Sequence, residues 1–243
     1  MADKENNRLI IIPTYNESGT ITDLIKGIFK FYPEVDILIV DDNSPDGTGD
    51  IIEELSKSDD RVNCLHRQNK EGIGPAYIAG FKWAISKGYE YIMQMDADFS
   101  HSPEYVPRLF GLVKDHDVVI GSRYIKGGGV KDWGIIRRIV SRCGSLYAKM
   151  ILAIPVNDLT GGFKCFKIDT LKNIGIDDII TRGYAFQIET TFRAYRKGAR
   201  IKEFPIVFTD RRVGGTKMTG GIFLEAVFAV LKLKMKGRSI TNT

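Results

Sequence analysis

The stretch Tyr91-Ile92-Met93-Gln94-Met95-Asp96-Ala97-Asp98-Phe99-Ser100-His101 decides how the chain is read. Its first half is a short apolar run bounded by a turn, the pattern of a buried strand, and it ends in two carboxylates with only Ala97 between them. Two like charges at a strand end repel unless a cation lies between them. A hard divalent ion such as Mg2+ or Mn2+, itself holding phosphate oxygens, suits such a site. An exposed turn with two solvated acids fits the same residues, so the rest of the chain has to decide.

Outward from this stretch the pattern repeats. Leu9 to Ile12 reads as a first strand that stops at Pro13 and opens into Pro13-Thr14-Tyr15-Asn16-Glu17, and Ile21, Leu24, Ile25, Ile28 and Phe29 predict a helix from near Ser18. Val35 to Val40 reads as a second strand ending in Asp41-Asp42, with a helix from about Gly49 to Ser56 after it. Val62 to Leu65 is a third, followed by a turn at Gly72-Ile73-Gly74-Pro75 and a helix through Tyr77, Phe81, Trp83 and Ile85. The opening stretch supplies the fourth strand and Val118 to Ile120 the fifth. This alternation predicts an α/β fold, a mostly parallel sheet with helices on both faces. Ligands of such sheets bind beyond the carboxyl ends of the strands, which aligns Tyr15, Glu17, Asp41, Asp42, Asp96, Asp98 and Arg123 along one edge.

Past Arg123 the texture changes. Gly127-Gly128-Gly129 reads as a flexible or tightly turned segment. A helix from about Gly134 to Ala153 carries Arg137, Arg138 and Arg142 near its start. Phe163 to Ile168 and Arg200 to Phe208 read as strands, with a helix between them that places Ile188, Phe192 and Tyr195 on one face. A Gly-, Arg- and Lys-rich loop leads to a last helix, about Gly221 to Lys236, with Ile222, Phe223, Ala226, Val227, Val230 and Leu231 on one side and lysines at its tip. The expected division is residues 1–219 as a catalytic domain and 220–243 as an amphipathic, interfacial helix and tail.

Composition bounds the function. At 243 residues, 43% hydrophobic and 27% charged, the chain can bury a full core. Cys64, Cys143 and Cys165 are odd in number and widely spaced, which argues against a disulfide framework or a zinc site and for a reducing cytosol. Met1 to Arg8 is polar, so no signal peptide is expected, and the apolar run Ile222 to Leu231 is too short to span a bilayer. The net charge of +5 hides a division: residues 1 to 121 carry 12 basic against 21 acidic side chains, net −9, and residues 122 to 243 carry 23 against 9, net +14. The acidic half suits metal and nucleotide-sugar chemistry, the basic half an anionic phosphate or lipid surface. Nucleic acid is not expected, since the basic residues lack an interleaved stacking platform. Gly72-Ile73-Gly74 lacks the third glycine of a dinucleotide fingerprint, and the Walker pattern is absent. What remains is a nucleotide site built from strand-end acids and a metal.

Five ordered blocks sharpen this: Pro13 to Glu17, Val40 to Thr48, Asp96-Ala97-Asp98, Gly121-Ser122-Arg123-Tyr124 and Asp158-Leu159-Thr160-Gly161-Gly162-Phe163. Together they resemble the inverting GT-A (Rossmann-like) glycosyltransferases, and in particular the dolichol-phosphate (polyprenyl-phosphate) mannosyltransferases. The resemblance implies a GDP-mannose donor and a dolichyl or polyprenyl phosphate acceptor. It puts Pro13, Tyr15, Glu17, Val40 and Asp42 around the nucleotide, and Asp96, Ala97 and Asp98 at the diphosphate. The metal, Mg2+ or Mn2+, would lie on Asp96 and Asp98, with Ser100 where some relatives carry a ligating Gln. Arg123 would meet a phosphate, Arg137 and Ser141 would grip the acceptor phosphate, and Arg211 and Lys217 would belong to a loop closing over the diphosphate. Asp98, Arg123 and Lys217 are the expected catalytic residues.

A phosphate monoester is largely ionised at neutral pH, with a second pKa of about 6, so such an acceptor can attack without a general base. Glu189 is the spare carboxylate, expected on a helix surface. A lipid-borne acceptor implies peripheral docking on the cytosolic face of a membrane through the last helix, and leaves small membrane partner subunits open. The alternatives are the same reaction with UDP-glucose, a sugar nucleotidyltransferase, and a non-catalytic nucleotide-binding module.

Overall fold

The computed structural model describes residues 7–181, 183–210 and 220–236, without the side chains of Tyr184 and residues 220–226. Arg211 and Lys217 lie outside the described residues. The strands are β1 (Arg8–Thr14), β2 (Asp36–Asp41), β3 (Val62–His66), β4 (Tyr91–Gln94), β5 (Val118–Ser122), β6 (Gly129–Lys131), β7 (Lys164–Lys167), β8 (Ile201–Pro205) and β9 (Val207–Thr209). The helices are α1 (Ile21–Phe31), α2 (Thr48–Ser58), α3 (Ile73–Ser86), α4 (Val106–Val113), α5 (Ile135–Leu152), α6 (Ile168–Asn173), α7 (Gly183–Arg196) and α8 (Gly220–Lys236).

Seven strands form one sheet in the order β3-β2-β1-β4-β7-β5-β8. All neighbours are parallel except β7, which runs antiparallel between β4 and β5. Both faces are covered, so alternate residues feed two apolar layers. Leu9, Ile11, Leu38 and Val40 face the layer with α3, α5 and α7, whereas Ile10, Ile12, Ile37 and Ile39 face the layer with α1 and α4. The α3 helix approaches β1 so closely that a β-carbon on Gly80 would come within 2.7 Å of Ile11 Cγ2, which is why glycine stands there.

Several features depart from the expected pattern, the short helix α6 after β7 among them. The α4 helix, with Val106, Leu109, Phe110 and Val113 buried, is an additional element. The expected strand over Arg200 to Phe208 is two: the chain leaves the main sheet after Pro205, buries Ile206, and pairs β9 with β6. The glycine triplet is a tight turn into that pairing. A β-carbon on Gly128 would collide with the Ser122 carbonyl oxygen at 2.5 Å. At the far end, Val230 and Leu233 of α8 join the main apolar core, so the face of α8 that carries Val230 packs inward.

Candidate active site

Because β1, β2, β4 and β5 are parallel, their carboxyl ends share one edge. The antiparallel β7 begins at that same edge, so the loop before it, Asp158 to Phe163, arrives there as well. This places all five sequence blocks together.

At the end of β1 and β2, side chains mostly hold the loops. Asp41 accepts from Thr14 Oγ1 at 2.9 Å and from the Ser44 amide and hydroxyl at 2.9 and 2.6 Å. The segment after Tyr15 is tied to the next loop: the Asn16, Glu17 and Ser18 amides donate to Ser44 Oγ, Thr48 Oγ1 and Asp46 Oδ2. Burial works to raise the pKa of Asp46, but hydrogen bonds from Thr48 and Ser18 bring it down to about 2. Burial raises that of Asp42, against the pull of Arg67, whose guanidinium lies 2.7 Å away. Tyr15 carries Lys70 Nζ over its ring at 3.6 Å. The side chain of Val40 is fully buried beneath α3, so what it can offer a nucleotide is its backbone.

Beyond β4, Asp96 remains partly open, with 27% of its side chain exposed, while Asp98, Ala97 and Ser100 are buried. The Ser100 amide donates to Asp98 Oδ1 at 3.0 Å, and the Ser100 hydroxyl is buried with no hydrogen-bond partner among the described residues. An orphaned hydroxyl beside two carboxylates is an all-oxygen donor set that fits Mg2+ or Mn2+. No third carboxylate, histidine or cysteine joins this group among the described residues. His101 supports the turn from below. Its Nδ1 accepts the Asp96 amide at 3.0 Å and its ring stacks on Phe163 at 4.8 Å. Burial pushes its pKa down, while Asp96 pulls the other way, and an accepting Nδ1 places the ring proton on Nε2.

Arg123, just after β5, is buried, and the anion that meets it is Asp158. Arg123 Nε and Nη2 donate to the two Asp158 oxygens at 2.7 and 2.6 Å, and its own amide donates to Oδ2 at 2.9 Å. Burial works to raise the Asp158 pKa, but Arg123 wins and holds it below the usual carboxylate range. The guanidinium also donates to Thr160 Oγ1, which contacts Ser145 Oγ on α5. On the same face of α5, Ser141 accepts from the Tyr124 hydroxyl at 2.6 Å, and Arg137 pairs with Asp210 at 2.7 Å and lies over Trp133. Arg123 therefore shares its charge with a carboxylate, and Arg137 and Ser141 flank it from the helix.

The glycosyl transferase family 2 model matches residues 9–175, from β1 past β7. The chain belongs to glycosyl transferase family 2. It is 45% identical over 230 residues to the undecaprenyl-phosphate mannosyltransferase of Micrococcus luteus, covering 95% of each chain. It is 41% identical over 232 residues to the polyprenol monophosphomannose synthase of Mycolicibacterium smegmatis, covering 95% of this chain and 88% of that one. Glucosyl-3-phosphoglycerate synthase of Mycobacterium tuberculosis, solved with Mn2+, UDP and glucosyl-3-phosphoglycerate, superposes with a TM-score of 0.67 at 17% identity. That superposition covers 96% of this chain and 80% of the synthase, and it shows the shared GT-A fold.

In this glycosyltransferase some residues stand elsewhere than their spacing suggests. Glu189 is not on a helix surface but fully buried. It accepts from the Ile180 and Thr181 amides, the Thr181 hydroxyl and Arg193 Nε. Helical spacing fails here because α3, α6 and α8 all pack on α7 and Lys164 of β7 bonds it from the sheet. Two polar residues carry no ordinary sequence signal: Lys164, fully buried on β7, and Glu203, which accepts from Ser122 Oγ and from the Asn157 and Asp158 amides and so fixes the Asp158 turn. Asp158 could have been paired with Arg123 from sequence, since a cation after a buried strand demands an acid.

Proposed function

We propose that this glycosyltransferase transfers mannose, with inversion, from GDP-mannose to a polyprenyl or dolichyl phosphate. The observation that carries the reading is the 41–45% identity, over 95% of the chain, to two enzymes named for polyprenyl-phosphate mannose synthesis. The chemistry agrees with it. Glu189, the spare carboxylate, is engaged in holding the turn before α7, and an ionised phosphate acceptor needs no base to attack the anomeric carbon. One displacement inverts that centre. Asp96, Asp98 and Ser100 would hold Mg2+ or Mn2+, which when bound supplies charge stabilisation to the departing nucleoside diphosphate. Pro13, Tyr15, Glu17, Asp42 and the Val40 backbone would frame the nucleotide. Arg123 would add positive charge beside the diphosphate while Asp158 orients it, and Arg137 and Ser141 would bind the acceptor phosphate, with Asp210 giving up Arg137 when it arrives. Arg211 and Lys217 would close over the diphosphate.

The acceptor's lipid tail implies a peripheral position at a membrane. No helix among the described residues is long and apolar enough to cross one. Instead Ile135, Ile136 and Ile139 of α5, and Phe228, Leu231 and Met235 of α8, are exposed beside Arg138, Arg142, Lys232 and Lys234. Apolar side chains ringed by cations suit an anionic interface, and α5 and α8 pack together. Residues 220–243 would then be a docking segment on the 1–219 catalytic unit, facing the cytosolic leaflet, with or without small membrane partner subunits.

The test is purified protein with a polyprenyl phosphate, Mg2+ or Mn2+, and labelled GDP- and UDP-sugars. Mannose from GDP-mannose should enter the lipid phase. Label arriving from UDP-glucose alone would overturn the donor, and no transfer from any donor would overturn the reaction.

A further inference from the structure

Gln187 lies on α7 and is almost wholly buried, yet neither its amide nitrogen nor its amide oxygen has a hydrogen-bond partner among the described residues. Its backbone is held firmly by contrast. The Gln187 carbonyl accepts from Lys164 Nζ at 2.6 Å, from Thr191 Oγ1 at 3.0 Å and from Thr190 Oγ1 at 3.2 Å, and Lys164 Nζ also donates to Thr191 Oγ1 at 2.8 Å. The sheet thus pins this residue by its main chain and leaves its amide unengaged. A buried amide without partners costs stability that Met or Leu would not, and a ligand hydroxyl would supply the missing partner.

The surroundings say where that ligand sits. A β-carbon placed on Gly162 would lie 3.5 Å from Gln187 Nε2, 3.6 Å from Asp96 Oδ1 and 3.7 Å from His101 Cε1, all ordinary contact distances. Gly162 is not in the left-handed region, so its backbone does not demand glycine. A side chain is thus sterically allowed there, and its absence leaves the Gly162 backbone open toward the Gln187 amide and the Asp96 carboxylate, a niche for one small group. It lies between an amide and a carboxylate, at the partly open Asp96 end of β4.

We propose that this niche receives one hydroxyl group of the hexose carried by the donor, with the Gln187 amide as the residue that reads it. The inference rests on the glycosyl-transfer reading and adds a specificity determinant to it. A site built to bond a hydroxyl discriminates against the sugar that lacks it, because the buried amide is then left unpaired.

The experiment uses the full chain, the variants Gln187→Met and Gly162→Ala, and GDP-mannose, UDP-glucose and their singly deoxygenated analogues as donors to polyprenyl phosphate. With the parent sugar, Gln187→Met should lower kcat/KM about tenfold, the worth of one hydrogen bond. With one particular deoxy analogue, wild type should already be that poor and the variant should lose nothing more. Gly162→Ala, whose methyl occupies the niche without strain, should reproduce the pattern. The thermal midpoint of Gln187→Met should stay level or rise. Equal losses on every analogue, no loss at all, or a lower midpoint for Gln187→Met would overturn the niche while wild-type transfer leaves the reaction standing. Wild type inert with every donor would overturn both.

Discussion

Replacing Asp158 by Asn tests the electrostatic design of the site most directly. Asp158 is fully buried and accepts from Arg123 Nε and Nη2, the Arg123 amide and the Gly161 amide. Asn keeps one acceptor oxygen, turns the other into a donor facing donors, and leaves the buried guanidinium without its carboxylate. Breaking one side of a buried pair costs about 3–5 kcal/mol. For a chain of this size that corresponds to a midpoint lower by roughly 6–20 °C. Acid should carry a signature. The folded pKa of Asp158 is held below its unfolded value, so its stabilisation is present above the unfolded pKa, about 3.9, and is lost as pH falls through the folded one. The wild-type advantage over Asp158→Asn should therefore be flat from pH 8 to pH 5 and shrink below pH 4. Removing both charges, as Arg123→Met with Asp158→Leu, should cost less than Asp158→Asn alone. Urea unfolding followed by circular dichroism measures all of this. A single variant within 1 kcal/mol of wild type, or a double variant worse than the sum of the singles, would refute the pairing argument.

Asp98→Ala should abolish transfer while the circular dichroism spectrum and thermal midpoint stay near wild type; turnover close to wild type would remove Asp98 from the site. Burial pushes the Lys164 amine down to about 7 from its ordinary 10.5, so between those values the unfolded chain binds the extra proton and folding stability gains from this group as pH rises. The urea midpoint of wild type should accordingly rise relative to that of Lys164→Met between pH 7 and pH 9, and parallel profiles would contradict the shift. On anionic liposomes the protein should float and Ile135→Ser with Ile136→Ser should float less; since exposed cations are screened by salt, flotation should weaken in 0.5 M salt, and insensitivity to both changes would place docking elsewhere.

Much of the parallel half was legible because its signals are local. Strands β1, β2, β4 and β5 are apolar runs closed by acids or turn residues, and α1, which follows β1, shows its buried face at helical spacing. The features that were not legible depend on partners distant in sequence. Nothing within Lys164 to Lys167 says that this strand runs antiparallel between β4 and β5, yet that insertion is what delivers Asp158 to Arg123. Glycines 127 to 129 read only as a flexible or tightly turned segment because the pairing of β6 with β9 is written some eighty residues later, in Val207 to Thr209. Glu189, Thr190 and Thr191 look like the polar face of a helix. They are buried because Glu189 turns onto the Ile180–Thr181 turn and Arg193 while Thr191 turns onto Lys164 of β7, tertiary contacts that periodicity cannot carry.

The charge division along the sequence also takes on a structural meaning. Of the acids in the basic half, Asp158 and Glu189 are buried on arginines, Glu203 holds the Asp158 turn, and Asp210 pairs with Arg137. These four acids are thus engaged in holding the frame, whereas Asp169 and Asp177 pair with lysines at the surface, and Arg138, Arg142, Lys232 and Lys234 remain exposed. Those cations border the exposed isoleucines of α5 and the exposed Phe228 and Met235 of α8. An all-polar cationic surface would bind any polyanion, and an apolar one alone would aggregate; the combination favours an anionic interface with an apolar interior. Because Arg137 and Ser141 lie on the same helix as those isoleucines, the contact that docks the protein would also bring an acceptor phosphate to the Arg123 end of the site.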